Sequence, residues 1–519
     1  MVFPPASKPV PTALMAGCAV VVSLVTWMTS EAVDPVRAVA GLFFAFVLVL
    51  TLHKYKYGVL MTILLLPLSA SRVVPREMLG LTGLNPFNLV LLTTLFLVLI
   101  TRVLQPRKLH LPAVSLPACL YLLCLLLGAA NGLLHAGTIP AYFRSLQVIS
   151  FDSPLGYVLE MLVKPVMILL AAYLVAIAVA NARQPKALLA SLFLSATVLP
   201  LLLITQVLLT RTTLSSMVSG GESLSGVHVN ELGLMFNMAF ALALFCFFSR
   251  GAGARRWWLG LVLAVLAAGI LLTFSRGAYL GLVTVLIFFL YRKKRLDFML
   301  LGLLVLPLAV LFLPEAVMQR AATGLGNGDV DTISAGRIND IWRPLLPEFA
   351  ASPLIGQGIS SVLWSEPART SNFFMAGRVG HPHSAYLGML LDFGLLGTLV
   401  ICLFFSHMWR SFILLARRHP DALWRDFFSG AAACLLVLLV QGVTDDRATP
   451  TVAQSNLWLA YGIALGMLGR RATTASAGPG GGSVPATAVA PAPTMPSCFA
   501  HPPSMPAAPK VPSPGKAAR

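Results

Sequence analysis

Long apolar runs alternate with short polar turns along almost the whole chain. About 30 Å of hydrocarbon takes about 20 residues of α-helix, and runs that meet or approach this length recur. They lie at 12–30, 37–53, 57–70, 86–104, 114–134, 161–181, 187–210, 229–248, 256–274, 277–291, 297–314, 384–409, 428–445 and 453–469. The pattern predicts an all-α polytopic membrane protein with about 12–14 transmembrane helices, the third and tenth runs being short. It divides the chain into a short N-terminal stretch (1–11), one membrane domain (12–471) without internal repeat, and a tail (472–519). The tail is rich in Ala, Pro, Gly and Ser, as in Gly478-Pro479-Gly480-Gly481-Gly482. It buries too little apolar surface to offset ordering and is expected to be disordered. The first run is too long, and too soon followed by others, to be a cleaved signal peptide.

Composition agrees. The chain is 57% hydrophobic and 11% charged, with a mean hydropathy of +0.83, outside the range of soluble globular proteins. Its net charge of +18 is distributed as a topology signal. Lys54 and Lys56, Arg102, Arg107 and Lys108, Arg183 and Lys186, and Arg250, Arg255 and Arg256 fall in alternate turns. Arg292-Lys293-Lys294-Arg295, then Arg410, Arg417, Arg418 and Arg425, then Arg470 and Arg471 continue the alternation. The positive-inside rule puts these turns, the N-terminus and the tail in the cytoplasm and the long segment 315–383 on the outer side. Charges scattered singly between spans suit an anionic leaflet and not a nucleic acid. Six of the seven cysteines lie in apolar runs and Cys498 lies in the tail, so no disulfide framework or CxxC metal site is implied.

The chemistry is expected at the outer face. Arg276 follows Thr273-Phe274-Ser275 and precedes Gly277 in a tight turn between two apolar runs. There Ser275 can cap the next helix, and an anion would meet both a guanidinium and a helix N-terminus. The alternative is an arginine snorkelling to headgroups. Within 315–383, Gly336-Arg337 precedes an amphipathic stretch, Ile338-Asn339-Asp340-Ile341-Trp342-Arg343-Pro344-Leu345-Leu346, suited to an interface plane. Arg337 and Arg343 are six residues apart and do not share a helix face well; both also suit solvated loop charges. His381-Pro382-His383 stands where the chain re-enters the membrane. A histidine there can act as a general base or simply cap the helix. A third metal ligand is missing at any recognisable spacing, and Asp329 and Asp331 lack the rest of a calcium loop.

The order of short motifs resembles the bacterial O-antigen ligase and O-antigen polymerase superfamily of integral membrane glycosyltransferases. The motifs are Asn230-Glu231-Leu232-Gly233, Leu272-Thr273-Phe274-Ser275-Arg276-Gly277, Gly336-Arg337 with Trp342, and Ser352-Pro353-Leu354-Ile355-Gly356-Gln357-Gly358. His383 with Tyr386 and Leu387, then Asp392-Phe393-Gly394-Leu395-Leu396-Gly397, complete the set over about 230–400. Each is short; their order around one large outer loop carries the resemblance. Ser384 departs from the asparagine frequent in the family at that place, and His381 is unusual.

The resemblance implies a GT-C-like fold in a bacterial inner membrane with a periplasmic active site. It implies transfer of a glycan from an undecaprenyl-diphosphate carrier to an acceptor glycan or to lipid A core, without metal or other cofactor. Arg276 and Arg337, with Arg211 as a third, would stabilise the diphosphate leaving group, and His383 would activate the acceptor hydroxyl. Polymerisation of repeat units for a surface polysaccharide is the favoured version, with ligation to lipid A core or to protein as alternatives. Other polysaccharide-assembly proteins are potential partners. A transporter or flippase is the competing class, but such carriers keep ionisable residues at mid-membrane. Here Asp392 is the main acidic residue inside a span, with Glu160 and Glu231 at edges.

Overall fold

In a computed structural model, the described residues are 51, 54–71, 74, 77–78, 81–82, 85–105, 109–146, 148–149, 151–210, 227–253, 256–294, 336–377, 379–444 and 448–476. The predicted runs 12–30 and 297–314, nearly all of 37–53, the residues Arg211, Asp329 and Asp331, and the tail beyond Ser476 lie outside them. The main helices are α1 (Tyr55–Leu68), α2 (Pro86–Leu104), α3 (Leu116–His135), α4 (Lys164–Asn181), α5 (Ala187–Thr210) and α6 (Val229–Phe247). They continue as α7 (Arg256–Leu272), α8 (Arg276–Lys293), α9 (Arg343–Ala351), α10 (Ala385–Arg418), α11 (Ala422–Gln441) and α12 (Ser455–Ser476). The only extended pairing among the described residues is a two-residue ribbon, Glu77–Met78 against Leu81–Thr82. The protein is thus an all-α polytopic membrane protein. Seven of its described helices are long and apolar enough to cross a bilayer, and α1 and α7 are shorter apolar helices.

Local chemistry sets the helix starts. Asn85 accepts from Asn88 N at 2.8 Å ahead of Pro86. Asp421 accepts from Leu423 N at 2.9 Å and Trp424 N at 3.3 Å. Both are N-caps that satisfy amides the helix itself leaves open. The 161–181 run is preceded by a further helical turn from Pro154, joined through a π-helical turn at Leu159–Val163.

Packing separates core from lipid-facing helices. Buried residues make up 83% of the apolar stretch of α6 and 72% of that of α11, against 28% for α2 and α3. The bundle is therefore built around α6 and α11. Gly430 makes this possible, because a Cβ there would lie 2.9 Å from the Ala241 carbonyl oxygen.

The basic turns gather at one end. Lys293 Nζ lies 2.5 Å from Asp426 Oδ1, and Lys186 pairs with Asp421. Arg256 Nε donates to Phe247 O, Arg102 Nη1 to Leu109 O, and Arg470 Nη1 to Val179 O. Burial would raise the Asp421 carboxyl, but Lys186 and the two helix amides outweigh it and hold the group below its ordinary value.

The run 384–409 differs from a simple span. Its helix continues to Arg418 and is broken at Gly394, which has φ 63° and ψ −168°. Periodicity reads Asp392-Phe393-Gly394-Leu395 as helix interior. Backbone from the Pro353–Gly358 loop occupies the break instead: Leu395 N donates to Pro353 O and Leu396 N to Leu354 O.

Candidate active site

The end of the bundle opposite the basic turns is organised by the C-terminus of α11. The last carbonyls of a helix lack intrahelical partners and carry partial negative charge. Three segments meet Leu439–Thr444, each carrying one of the predicted site residues; two of them donate to its carbonyls, and the other accepts from the Gln441 side chain.

The first segment is the start of α8. Ser275 is its N-cap: the buried Oγ accepts from Ala278 N at 3.3 Å and donates to Asn230 Oδ1 at 2.7 Å. Phe274 has φ 50°, so a bulky residue sits in the left-handed region to turn the chain from α7 into α8. Arg276 is the first helical residue and is exposed. Below it, Gln441 Nε2 donates to Gly277 O at 2.7 Å and Asn237 Nδ2 to Ala278 O at 2.7 Å. Gly281 makes room for both amides, since a Cβ there would collide with them. Asn230-Glu231-Leu232-Gly233 belongs to the same joint: Asn230 binds Ser275, and Gly233 admits Ala278.

The second segment carries Arg337, whose Nη1 donates to Thr444 O at 3.3 Å. Gly336 before it has φ 79°, and a Cβ there would lie 2.7 Å from Asp340 Oδ2. The amphipathic stretch is helical throughout, a π-turn at Ile338–Trp342 running into α9. Arg343 points away into solvent, with Nη1 3.5 Å from Asn339 Oδ1. The two arginines therefore do not form one clamp.

The third segment is His381-Pro382-His383. Its two imidazoles lie against each other, ring centroids 3.9 Å apart and planes tilted by 58°, and His383 has φ 51°. Trp342 Nε1 donates to Pro382 O at 2.9 Å, tying this turn to the Arg337 segment. Ser384 caps α10 by accepting from Leu387 N at 3.4 Å. Ala385 N then donates to Gly442 O at 2.8 Å, and Tyr386 Oη to Leu439 O at 2.6 Å.

Arg276, Arg337 and His383 therefore come from three parts of the sequence to one helix end, while Arg211 lies outside the described residues. Sequence reasoning passed over Asn237, Gln441 and the Thr444 carbonyl that hold them. A lone amide in an apolar run was the available signal for the first two. Among the described residues no group of three His, Cys, Asp or Glu is placed to hold a metal ion. Asp392 lies at the α10 break, where Oδ1 accepts from Ser361 N at 3.0 Å and Ser361 Oγ at 2.8 Å. An exposed guanidinium at a helix N-terminus, a second guanidinium and an imidazole pair can together bind an anion and move a proton.

The fold and site define a polytopic helical membrane protein with a cationic, imidazole-bearing site at one end of the bundle. Residues 259–402 match the model of the family described as O-antigen ligase. The match runs from α7 through α8 and the Arg337 and His383 segments to beyond the α10 break. Asn230, Asn237, Gln441 and Thr444 fall outside it. No curated protein matches the chain.

Proposed function

We propose that the protein is an inner-membrane glycosyltransferase with its site facing the periplasm. It moves a glycan from undecaprenyl diphosphate to an acceptor hydroxyl, polymerising repeat units of a surface polysaccharide. The observation that carries this reading is the convergence of Arg276, Arg337 and His383 on the Leu439–Thr444 end of α11. In the proposed reaction His383 takes the proton of the acceptor hydroxyl, and that oxygen attacks the anomeric carbon. The bond from that carbon to the diphosphate oxygen breaks, and the electron pair leaves with the carrier. Arg276, the amides at the start of α8 and Arg337 meet the negative charge that develops there, with Arg211 a proposed third cation.

The family description favours a second version, in which the acceptor is lipid A core and the enzyme is a ligase. Arg276→Ala, Arg337→Ala and His383→Ala are each expected to stay in the membrane while lipid-linked glycan accumulates, seen by mass spectrometry of extracted lipids. Accumulated single repeats identify a polymerase, and accumulated long lipid-linked chains identify a ligase. Unchanged lipid-linked pools and polymer lengths in all three variants would overturn the enzyme reading.

A further inference from the structure

The loop Pro353–Ile359 belongs by sequence to the segment expected in the aqueous space outside the membrane. Its contacts belong to a different level. Ile359 N donates to Gly128 O, and Asn131 Nδ2 donates to Gly356 O. Both partners lie inside α3, within the stretch Leu116–Thr138 that is long and apolar enough to cross the bilayer. Gly128 stands about two turns, or roughly 10 Å, before the α3 end at His135. Gly358 lies so close to α3 that a Cβ there would collide with the backbone at Gly132.

Most of the loop's backbone groups are bonded to protein. Gly356 N donates to Ser352 O, Gln357 N to Leu391 O and Gly358 N to Asp392 O. Pro353 O and Leu354 O accept from Leu395 N and Leu396 N. Gly356 O accepts from Ser352 Oγ, and Ile359 O from Tyr157 Oη. Irregular backbone is tolerated at membrane depth only where it is buried in protein or lines a water-filled cavity, and these bonds satisfy most of the loop's polar groups. A loop in water has no such requirement.

Its side chains complete the pattern. Leu354 and Ile355 are 57% and 68% exposed. They continue the exposed stripe of Leu395, Leu396, Leu399 and Leu403 on α10, to which Pro353 and Leu354 are bonded through the backbone. On α3, Leu127 and Leu134 are exposed on either side of the contact level.

Helix lengths agree. Ala385 meets Gly442 at one end of the α10–α11 pair, and Arg418 is joined to Ala422 by a short turn at the other. At about 1.5 Å per residue the 34 residues of α10 would reach roughly 50 Å, against about 30 Å for the 20 residues of α11. The part before Gly394 must therefore run at a steep angle to α11 and across the end of the bundle, where the loop lies against it.

We infer that Pro353–Ile359 is a re-entrant element whose Leu354 and Ile355 side chains rest in bilayer hydrocarbon. Nitroxide labels at Leu354→Cys and Ile355→Cys, in a cysteine-free background and in liposomes, test this by power saturation. Leu399→Cys gives the lipid reference, and Thr370→Cys, an exposed position of the same segment, gives the aqueous one. Labels at 354 and 355 are expected to match Leu399→Cys, with high collision by oxygen and low collision by a water-soluble nickel chelate. Nickel accessibility close to that of Thr370→Cys at both sites would overturn the inference, as would exclusion of both relaxants, which means a protein cover. The readout is independent of glycan transfer, so it stands or falls separately from the proposed activity.

Discussion

Arg337 and Thr444 are 107 residues apart in sequence, yet the Arg337 guanidinium donates to the Thr444 carbonyl oxygen at 3.3 Å. That bond joins the Arg337 segment to the end of α11, beside the start of α8, where a Cβ on Gly277 would lie 3.3 Å from Thr444 Oγ1. A cation placed there faces the partial negative charge of a helix end.

Arg337→Lys separates charge from geometry. Lysine keeps the positive charge but loses the planar fork that can hold a carbonyl and a diphosphate together. The variant is expected to reach the membrane at normal level while glycan transfer falls by roughly tenfold or more. The measurement is polymer yield against membrane protein level. Wild-type transfer would show that a point charge suffices at this position.

Trp342→Phe tests how the imidazole turn is held. The substitution removes the Nε1 bond to Pro382 O and keeps most of the apolar ring. A bond of this type contributes about 1 kcal/mol, so the melting temperature in detergent should fall only slightly. Transfer should fall further than stability, because Pro382 sits between His381 and His383. Equal activity in variant and wild type would mean that the turn is held by its other contacts, such as Ala385 N to Gly442 O.

The helices themselves were legible because bilayer thickness fixes the length of an apolar run, and the turns because their charge alternates. The site was legible only in part. Arg276, Arg337 and His383 stand out as polar groups beside apolar runs. Asn237 and Gln441 do not, because each is a single amide whose role depends on which carbonyl a neighbouring helix presents. The pairing of Pro353–Gly358 with Leu391–Leu396 was not legible at all. It consists of backbone bonds between distant segments, and Asp392-Phe393-Gly394-Leu395 has the apolar character of an unbroken span.

Gly394→Ala addresses that pairing directly. Gly394 has φ 63°, and a Cβ there would meet the backbone of Leu354 and Ile355 closer than non-bonded atoms approach. The strain of the left-handed conformation adds about 1 kcal/mol or more to the collision. The variant is expected to accumulate poorly in membranes and to melt well below wild type. Leu399→Ala, on the exposed stripe of the same helix, is expected to change neither. Normal accumulation and melting of Gly394→Ala would show that the loop can leave the break without cost.

Asp421 gives a prediction in pH at the opposite end of the bundle. Its carboxyl is held below the ordinary value of 3.8, because the Lys186 bond and the amides of Trp424 and Leu423 outweigh the opposing effect of burial. A depressed folded-state value means that the carboxylate stabilises the fold above the unfolded value, near 3.8. That contribution disappears as pH falls through the lower folded value. Asp421→Asn keeps a side chain that can cap α11 and removes only the charge that pairs with Lys186. At neutral pH the variant should therefore melt below wild type, and the gap should close as the pH is lowered below 3.8. Lys186→Met should show the same closing gap, since it removes the other half of the pair. Melting curves in detergent from neutral to acid pH measure both. A gap that stays constant through the acid range would place the effect of Asp421 in capping geometry instead of in its charge.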